Sequence, residues 1–233
     1  MTLLVAAIFP VVFFLIVIYR KDTEREPPKL VMKCFFLGCV ATLPIVIVEL
    51  LVGNFNNFDS PLLHSLYEAF IVAAVVEEGF KFLFLYAIIW KRKEFDQYYD
   101  GIVYAVFISL GFALVENILY VFEYGMGTAI LRAILSVPGH GLFGVAMGYF
   151  FSLARFSPNG GKGLLWLSFL VPMIFHGLYD FFIMYMGESE NPLIIGLSLL
   201  AFIIALIFIW RAGARYIKKH HTADKQRQQQ YYY

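Results

Sequence analysis

Seven apolar stretches, each long enough to cross a bilayer, follow one another along the chain with short polar gaps between them. A bilayer core is about 30 Å thick, so a helix that rises about 1.5 Å per residue needs about 20 apolar residues to cross it. The stretches cover residues 2–19, 34–52, 62–90, 101–123, 129–153, 164–186 and 192–212. Because unpaired backbone groups are costly in lipid, each stretch is expected to be helical. The pattern predicts an all-α, polytopic integral membrane bundle with about seven transmembrane helices.

The basic residues fall almost entirely in alternate gaps between these stretches. The first, third and fifth gaps and the tail hold 16 of the 18 Lys and Arg residues. Basic residues concentrate on the cytoplasmic side of membrane proteins. This distribution predicts that the N-terminus lies outside and the C-terminus in the cytoplasm, and it leaves Lys81 and Arg132 as basic residues within predicted spans.

The composition agrees with a membrane protein and excludes several other classes. Of the 233 residues, 61% are hydrophobic and 15% are charged, against about 25% charged in soluble domains. Basic residues interleaved with aromatic ones are lacking, which argues against a nucleic-acid partner. We expect one transmembrane domain over residues 1–217 and a disordered, polar cytoplasmic tail over residues 218–233, and the sequence predicts no particular oligomeric state.

A pair of glutamates and a lysine interrupt the third apolar stretch. Ionisable groups at membrane depth are costly unless they are paired, hydrated or bound to something. Glu77 and Lys81 are four residues apart and share a helix face, whereas Glu78 is rotated by about 100° and is expected to point elsewhere. An ion pair that only locks helices together would explain Glu77 and Lys81 but would leave Glu78 without a partner.

Further polar residues lie within the next three predicted helices. They are Glu116 and Asn117, then Arg132 and His140, then His176 and Asp180. His140 and His176 are each about 15 Å in from the outer end of their helices. His176 and Asp180 are four residues apart and share a face, and a stripe of small residues that includes Gly144 and Gly148 continues the face of His140. Similar depth predicts that these groups, with Glu77 and Glu78, meet in one hydrated cavity.

Imidazole nitrogens and carboxylate oxygens at one place suit hydrolytic chemistry. They form a common zinc ligand set that leaves one position open for water, and bound zinc lowers the pKa of that water to about 7. A metal-free alternative is also open, in which a glutamate and a histidine activate the water directly. Both routes hydrolyse an amide bond with water as the nucleophile.

Four motifs on successive predicted helices resemble those of the PrsW family of bacterial intramembrane proteases. They are Glu77-Glu78-x-x-Lys81, Phe112-x-x-x-Glu116-Asn117, His140-x-x-x-Gly144 and His176-x-x-x-Asp180. Asp22, Glu26-Pro27 and Asp100-Gly101 are also similar to that family. The resemblance covers about residues 19–211 and extends distantly to the CAAX-prenyl protease and bacteriocin-processing group, whose first motif is also a glutamate pair.

The resemblance implies an intramembrane endopeptidase of the bacterial cell membrane. Its expected substrate is a single-pass membrane protein, an anti-sigma factor cut at site 1 on its extracytoplasmic side during regulated intramembrane proteolysis in a stress response. The donor chemistry described above gives zinc as the expected cofactor, with a metal-free glutamate mechanism as the alternative.

Roles for the candidate residues follow from this reaction. Glu77 is expected to be the general base, and the expected metal ligands or water-orienting residues are Glu78, Glu116, His140 and His176. Asp180 is expected to orient His176. Lys81 and Arg132 are expected to keep the carboxylates ionised, and Asn117 to donate a hydrogen bond to the oxyanion.

Two other classes of function remain open on the residues alone. A proton- or cation-coupled transporter also uses carboxylates, lysine and histidine at midplane, although the sequence lacks an internal repeat. A non-catalytic scaffold would use the same side chains only to hold helices together.

Overall fold

The computed structural model describes residues 2–231, and in that range the chain is a bundle of helices without strands. The elements are α1 (Thr2–Lys21), α2 (Pro28–Gly53), α3 (Pro61–Leu66), a π-helical segment (Tyr67–Val75), α4 (Val76–Ile89), α5 (Tyr98–Tyr124), α6 (Met126–Ile134), α7 (Ser136–Arg155), α8 (Lys162–Glu188) and α9 (Pro192–Tyr231). Helices α1, α2, α5, α8 and α9, and α6 with α7 taken together, are long and apolar enough to cross a membrane. The predicted all-α, polytopic membrane bundle is confirmed.

Two predicted spans are subdivided in the structure. The third consists of α3, the π-helical segment and α4 in direct succession, so the π-helical backbone ends just before Glu77. Such segments are rare in helices and often occur at functional sites. The fifth is broken at Leu135, where φ is −114° and α6 ends. Pro138 therefore lies in the first turn of α7, where its missing N–H costs nothing, rather than kinking a continuous helix at His140.

Helices α5 and α7 are the most deeply buried elements, and glycines allow the neighbours of α5 to approach it closely. A Cβ at Gly148 of α7 would lie 2.2 Å from the carbonyl oxygen of Gly101, and one at Gly38 of α2 would lie 2.0 Å from that of Ile108. Neither approach is possible for a residue with a side chain. The small-residue stripe on α7 is therefore a packing surface that sets the spacing between α5 and α7.

The segments predicted to be cytoplasmic meet at one end of the bundle. The Tyr104 hydroxyl donates a hydrogen bond to the Glu26 carboxylate, and Thr23 donates to Gln97, which joins the first gap to the start of α5. At the opposite end His64 and Glu188 form an ion pair of 2.7 Å. The contacts place alternate gaps at opposite ends, as the distribution of basic residues requires.

The C-terminal segment differs from the disordered tail expected over residues 218–233. Helix α9 continues to Tyr231, and residues 232–233 lie outside the described range. The Asp224 carboxylate accepts hydrogen bonds from the backbone N–H groups of Tyr98 and Tyr99, and one His220 ring nitrogen lies 2.9 Å from the Tyr149 carbonyl oxygen. A polar segment is ordered here because it satisfies backbone groups at the start of α5 that have no partner within the helix.

Candidate active site

All nine residues singled out in the sequence belong to one connected set of polar contacts inside the bundle. In order of contact they are Asp180, His176, Glu77 and Glu78, Lys81, His140, Glu116, Arg132 and Asn117. They come from α4, α5, α6, α7 and α8. The structure therefore brings together side chains that are up to about 100 positions apart in the chain.

Lys81 lies at the centre of this network and is completely buried. Its Nζ is 2.9 Å from Glu77 Oε2, 2.8 Å from Glu78 Oε1 and 3.4 Å from His140 Nδ1. The ammonium also sits 4.3 Å from the centroid of the Phe112 ring. The expectation that Glu78 points away from Glu77 is wrong, because a lysine three residues after one and four after the other can reach both.

His176 faces a carboxylate at each of its ring nitrogens. Nδ1 is 3.1 Å from Glu78 Oε1 and 3.9 Å from Glu77 Oε2, and Nε2 is 3.0 Å from Asp180 Oδ2. The Phe143 ring stacks on the imidazole at 4.9 Å. If Nε2–H donates to Asp180, the Nδ1 lone pair points at the two glutamates, and only a second proton or a cation can relieve that repulsion.

His140 and Glu116 form the second half of the network. His140 Nε2 is 2.9 Å from Glu116 Oε2, and its Nδ1 faces the Lys81 ammonium. Because a lysine can only donate, this pairing assigns His140 the neutral tautomer with its proton on Nε2. Arg132 Nη2 approaches Glu116 at 2.7 Å, so this carboxylate is held between a guanidinium and an imidazole.

Asn117, which was expected to donate to an oxyanion, makes structural contacts through both its amide nitrogen and its amide oxygen. Its Nδ2 donates to the Ala7 carbonyl oxygen of α1, and its Oδ1 accepts from Arg132 Nε. It is completely buried. Asn117 therefore anchors α1 to α5 and orients Arg132.

Local contacts between the helices fix the positions of His140 and His176. The Ser109 hydroxyl of α5 donates to the His140 carbonyl oxygen at 2.7 Å and fixes the first turns of α7. Next to His176, a Cβ at Gly177 would lie 2.3 Å from the Phe70 ring, so only glycine lets α8 approach the π-helical segment this closely. Sequence reasoning assigned no role to Ser109, Phe70 or Phe143, and the spacing of three between His140 and Phe143 was the one available signal.

Three buried donors lie close enough together to hold a metal ion. Glu77, Glu78 and His176 each offer one ligand atom, and these atoms lie within 4.8 Å of one another. This trio differs from the predicted set of Glu78, Glu116, His140 and His176. The physical reason is Lys81, whose ammonium lies between the glutamate pair and His140 and keeps His140 and Glu116 on its far side.

The charge and bonding of the site fit a divalent cation. The network contains four carboxylates and two permanent cations, Lys81 and Arg132, which leaves a formal charge of −2 when both imidazoles are neutral. Glu78 Oε2 is buried and has no hydrogen-bond partner. A cation held by the trio would balance the charge and use this oxygen.

A second buried carboxylate group lies at the cytoplasmic end and has a different character. Asp22, Glu26 and Asp100 also lie within metal-binding distance of one another, but they offer oxygen atoms alone. Asp100 Oδ2 accepts the N–H groups of residues 96 and 97. Burial raises the pKa of Asp22 to about 6 and that of Glu26 to about 7. Burial raises these pKa values, and the Asp100 carboxylate caps the start of α5, so this cluster has a structural role at the junction.

A capping box closes the start of α5. Gln97 is the N-cap, and the Asp100 carboxylate reaches back to the Gln97 N–H at 2.7 Å. The aspartate still satisfies an unpaired donor at the helix start.

Fold and site together define a polytopic membrane protein with a buried cluster of carboxylates and imidazoles suited to hydrolysis. Residues 26–210 match the family described as "PrsW family intramembrane metalloprotease". The chain belongs to this family, and it is an intramembrane protease of the bacterial membrane with several spans. The family match decides among the three classes of function that the residues left open, in favour of the enzyme.

Curated relatives align with this chain over nearly their whole length. Protease PrsW of Oceanobacillus iheyensis is 40% identical over 214 residues, which cover 91% of this chain and 97% of the relative. Protease PrsW of Geobacillus kaustophilus is 37% identical over 219 residues, covering 94% and 92%. Protease PrsW of Bacillus subtilis is 34% identical over 221 residues, covering 94% and 95%. No solved structure matches the chain.

Proposed function

We propose that this intramembrane protease uses a zinc ion to cleave a single-pass membrane protein near its extracytoplasmic side. The observation that carries the proposal is the convergence of Glu77, Glu78 and His176 on one buried point. Zinc suits this group of donors because it accepts both imidazole nitrogen and carboxylate oxygen as ligands and leaves room for a bound water. When bound, it would polarise a carbonyl and lower the pKa of water.

Glu78 and His176 are the proposed metal ligands, and Glu77 is the proposed general base. Glu78 is completely buried and has the unpartnered oxygen. The Glu77 side chain is slightly more accessible, and its carboxylate lies within 4.8 Å of the ligand atoms of the other two. It can therefore take a proton from a water held beside them. Asp180 keeps the His176 ring in position by accepting from Nε2.

Lys81 and the second half of the network maintain the charge state of the site. The Lys81 ammonium holds both glutamates as carboxylates, which the base and the ligand both require. Glu116 and Asp180 are the most accessible members, with side chains 19% and 21% exposed. We propose that the substrate approaches past these two side chains, that Glu77 passes the proton it took from water to the leaving amine, and that His140 holds Glu116 in position through its hydrogen bond.

Metal content and activity together test the assignment. Glu77→Gln should abolish cleavage of a reconstituted single-pass substrate while zinc remains bound in the purified protein. Glu78→Gln should lose both zinc and activity, since it removes a ligand charge. Glu188→Gln, on an exposed residue at the end of α8, is the matched control and should retain both.

Two outcomes would contradict parts of the proposal. Full activity of Glu77→Gln would remove the general base, and full activity in protein stripped of metal by a chelator would favour a glutamate mechanism without metal.

We further propose that the substrate is a membrane-anchored anti-sigma factor cut at site 1, as the family resemblance suggests. Glu116 lies about 12 Å from the outer end of α5 and about 27 Å from its cytoplasmic end, which supports an extracytoplasmic cut. Mass spectrometry of the products from proteoliposomes should place the cut on that side of the substrate helix. A cut on the cytoplasmic side would contradict this proposal while leaving the protease assignment intact.

A further inference from the structure

A groove between α1, α7 and α9 lies outside the proposed active site and has a cavity volume of about 520 Å³. It lies at the end of the bundle where the predicted cytoplasmic segments meet. Its lining includes Phe14, Leu142, Val145, Trp210 and Ile217, which are apolar, and Lys21, Lys218 and His221, which are basic or polar. None of its lining residues is acidic.

The two kinds of lining residue are separated along the membrane normal. Phe14 precedes Lys21 by seven residues on α1, which is about 10 Å, and Trp210 precedes Lys218 by eight residues on α9, which is about 12 Å. Both lysines lie on the side of the predicted cytoplasm. The groove is therefore an apolar slot about two helical turns deep with cations at its mouth.

His221 is the third polar residue at this mouth, beside Lys21 and Lys218. Two lysines and an imidazole, in a lining without an acidic residue, form a site that complements an anion.

We propose that this groove binds an anionic phospholipid of the cytoplasmic leaflet. The acyl chains would contact the apolar walls formed by α1, α7 and α9, and the headgroup phosphate would contact Lys21, Lys218 and His221. Basic pockets between transmembrane helices on the cytoplasmic side bind anionic headgroups in this way. The cationic mouth favours a phospholipid over a partner's transmembrane helix, because an apolar helix would leave the two lysines without an anionic partner.

The occupant would bridge α1 and α9, which otherwise have few direct contacts. It would contact α1, which carries the Ala7 anchor for Asn117, and the cytoplasmic part of α9, which caps α5 through Asp224. Binding does not depend on the proposed protease mechanism, so the two proposals can fail separately.

Native mass spectrometry of the full chain, purified in detergent and mixed with phosphatidylglycerol or phosphatidylcholine, tests the proposal. The wild-type protein should retain phosphatidylglycerol in preference to phosphatidylcholine. Lys218→Gln should weaken that retention by about fivefold, the effect expected from one lysine at an anionic headgroup. Lys219→Gln, at the next position on the same helix and outside the groove, is the matched control and should leave retention unchanged.

A second variant tests the contribution of the apolar walls separately from that of the lysines. Ala214→Trp keeps both lysines but fills the apolar slot, and it should also reduce phosphatidylglycerol retention. Circular dichroism of each variant verifies the helical content. Equal retention of the two lipids by the wild type, or equal losses in Lys218→Gln and Lys219→Gln, would overturn the proposal, as would undiminished retention in Ala214→Trp.

Discussion

At the scale of single residues, Lys81 decides how the site is arranged. One ammonium contacts both glutamates, and it also faces the neutral nitrogen of His140. The sequence predicted the pair of Glu77 and Lys81 from their spacing of four. It could not predict the contact to Glu78 or to His140, because these depend on which way a long, flexible side chain turns in a packed interior.

Removal of this ammonium should destabilise the protein strongly. Lys81→Met leaves two buried carboxylates without their cation, and breaking a buried ion pair in this way costs about 3–5 kcal/mol. We expect the free energy of unfolding, measured by SDS titration in mixed micelles, to fall by an amount in that range.

The matched control is Lys93→Met, on an exposed lysine of the loop after α4, which should change stability little. If Glu78 and His176 hold the metal beside Glu77, added zinc should raise the free energy of unfolding of Lys81→Met more than that of the wild type. An unchanged free energy in Lys81→Met would show that Lys81 is not what compensates the glutamate pair.

At the scale of elements, the close approach of α8 to the π-helical segment sets the distance between His176 and the glutamates. Gly177 follows the histidine directly and packs against Phe70. The sequence predicted that His176 and Asp180 share a helix face, and their contact of 3.0 Å agrees with this. The π-helical backbone before Glu77 was not predictable from an apolar run, because its hydrophobic pattern is like that of an α-helix.

Gly177→Ala should therefore impair catalysis more than folding. The new Cβ would lie 2.3 Å from the Phe70 ring, so the ring must turn away or α8 must shift from the π-helical segment, and either change disturbs the packing beside His176. A displacement of about 1 Å at a catalytic group can cost about 100-fold in rate. The measurement is the rate of substrate cleavage in proteoliposomes.

Gly187→Ala provides the control on the same helix, because a Cβ there meets no atom within 4 Å. Phe70→Leu combined with Gly177→Ala should recover part of the lost rate by relieving the contact. Equal rates for the two single alanine variants would mean that this approach of helices does not position His176.

At the scale of the whole molecule, the cytoplasmic part of α9 returns to the bundle and holds its cytoplasmic end together. Asp224 accepts from the N–H groups of Tyr98 and Tyr99, and His220 stacks on Tyr149 at 4.3 Å. Composition suggested disorder because the segment is polar and repetitive. Composition alone does not show that its polar groups meet unpaired partners on distant helices.

Asp224→Ala should lower the thermal stability of the protein. It removes the acceptor for two backbone donors at the start of α5, and loss of a helix cap costs about 1 kcal/mol. Lys225→Ala, on the exposed neighbouring residue, is the control. A melting temperature measured in detergent should fall for the first variant and stay the same for the second, whereas a disordered tail would leave both unchanged.

The sequence by itself determined the helical class, the positions of most spans, their alternating sides and the residues that carry charge into the membrane. These follow from the cost of exposing polar backbone or ionisable groups to lipid, which acts on each segment separately. Only the tertiary structure decided which of those residues are neighbours. It placed Glu77, Glu78 and His176 together and left His140 and Glu116 beyond Lys81, because helix approach, glycine contacts and the break at Leu135 depend on packing between segments far apart in the chain.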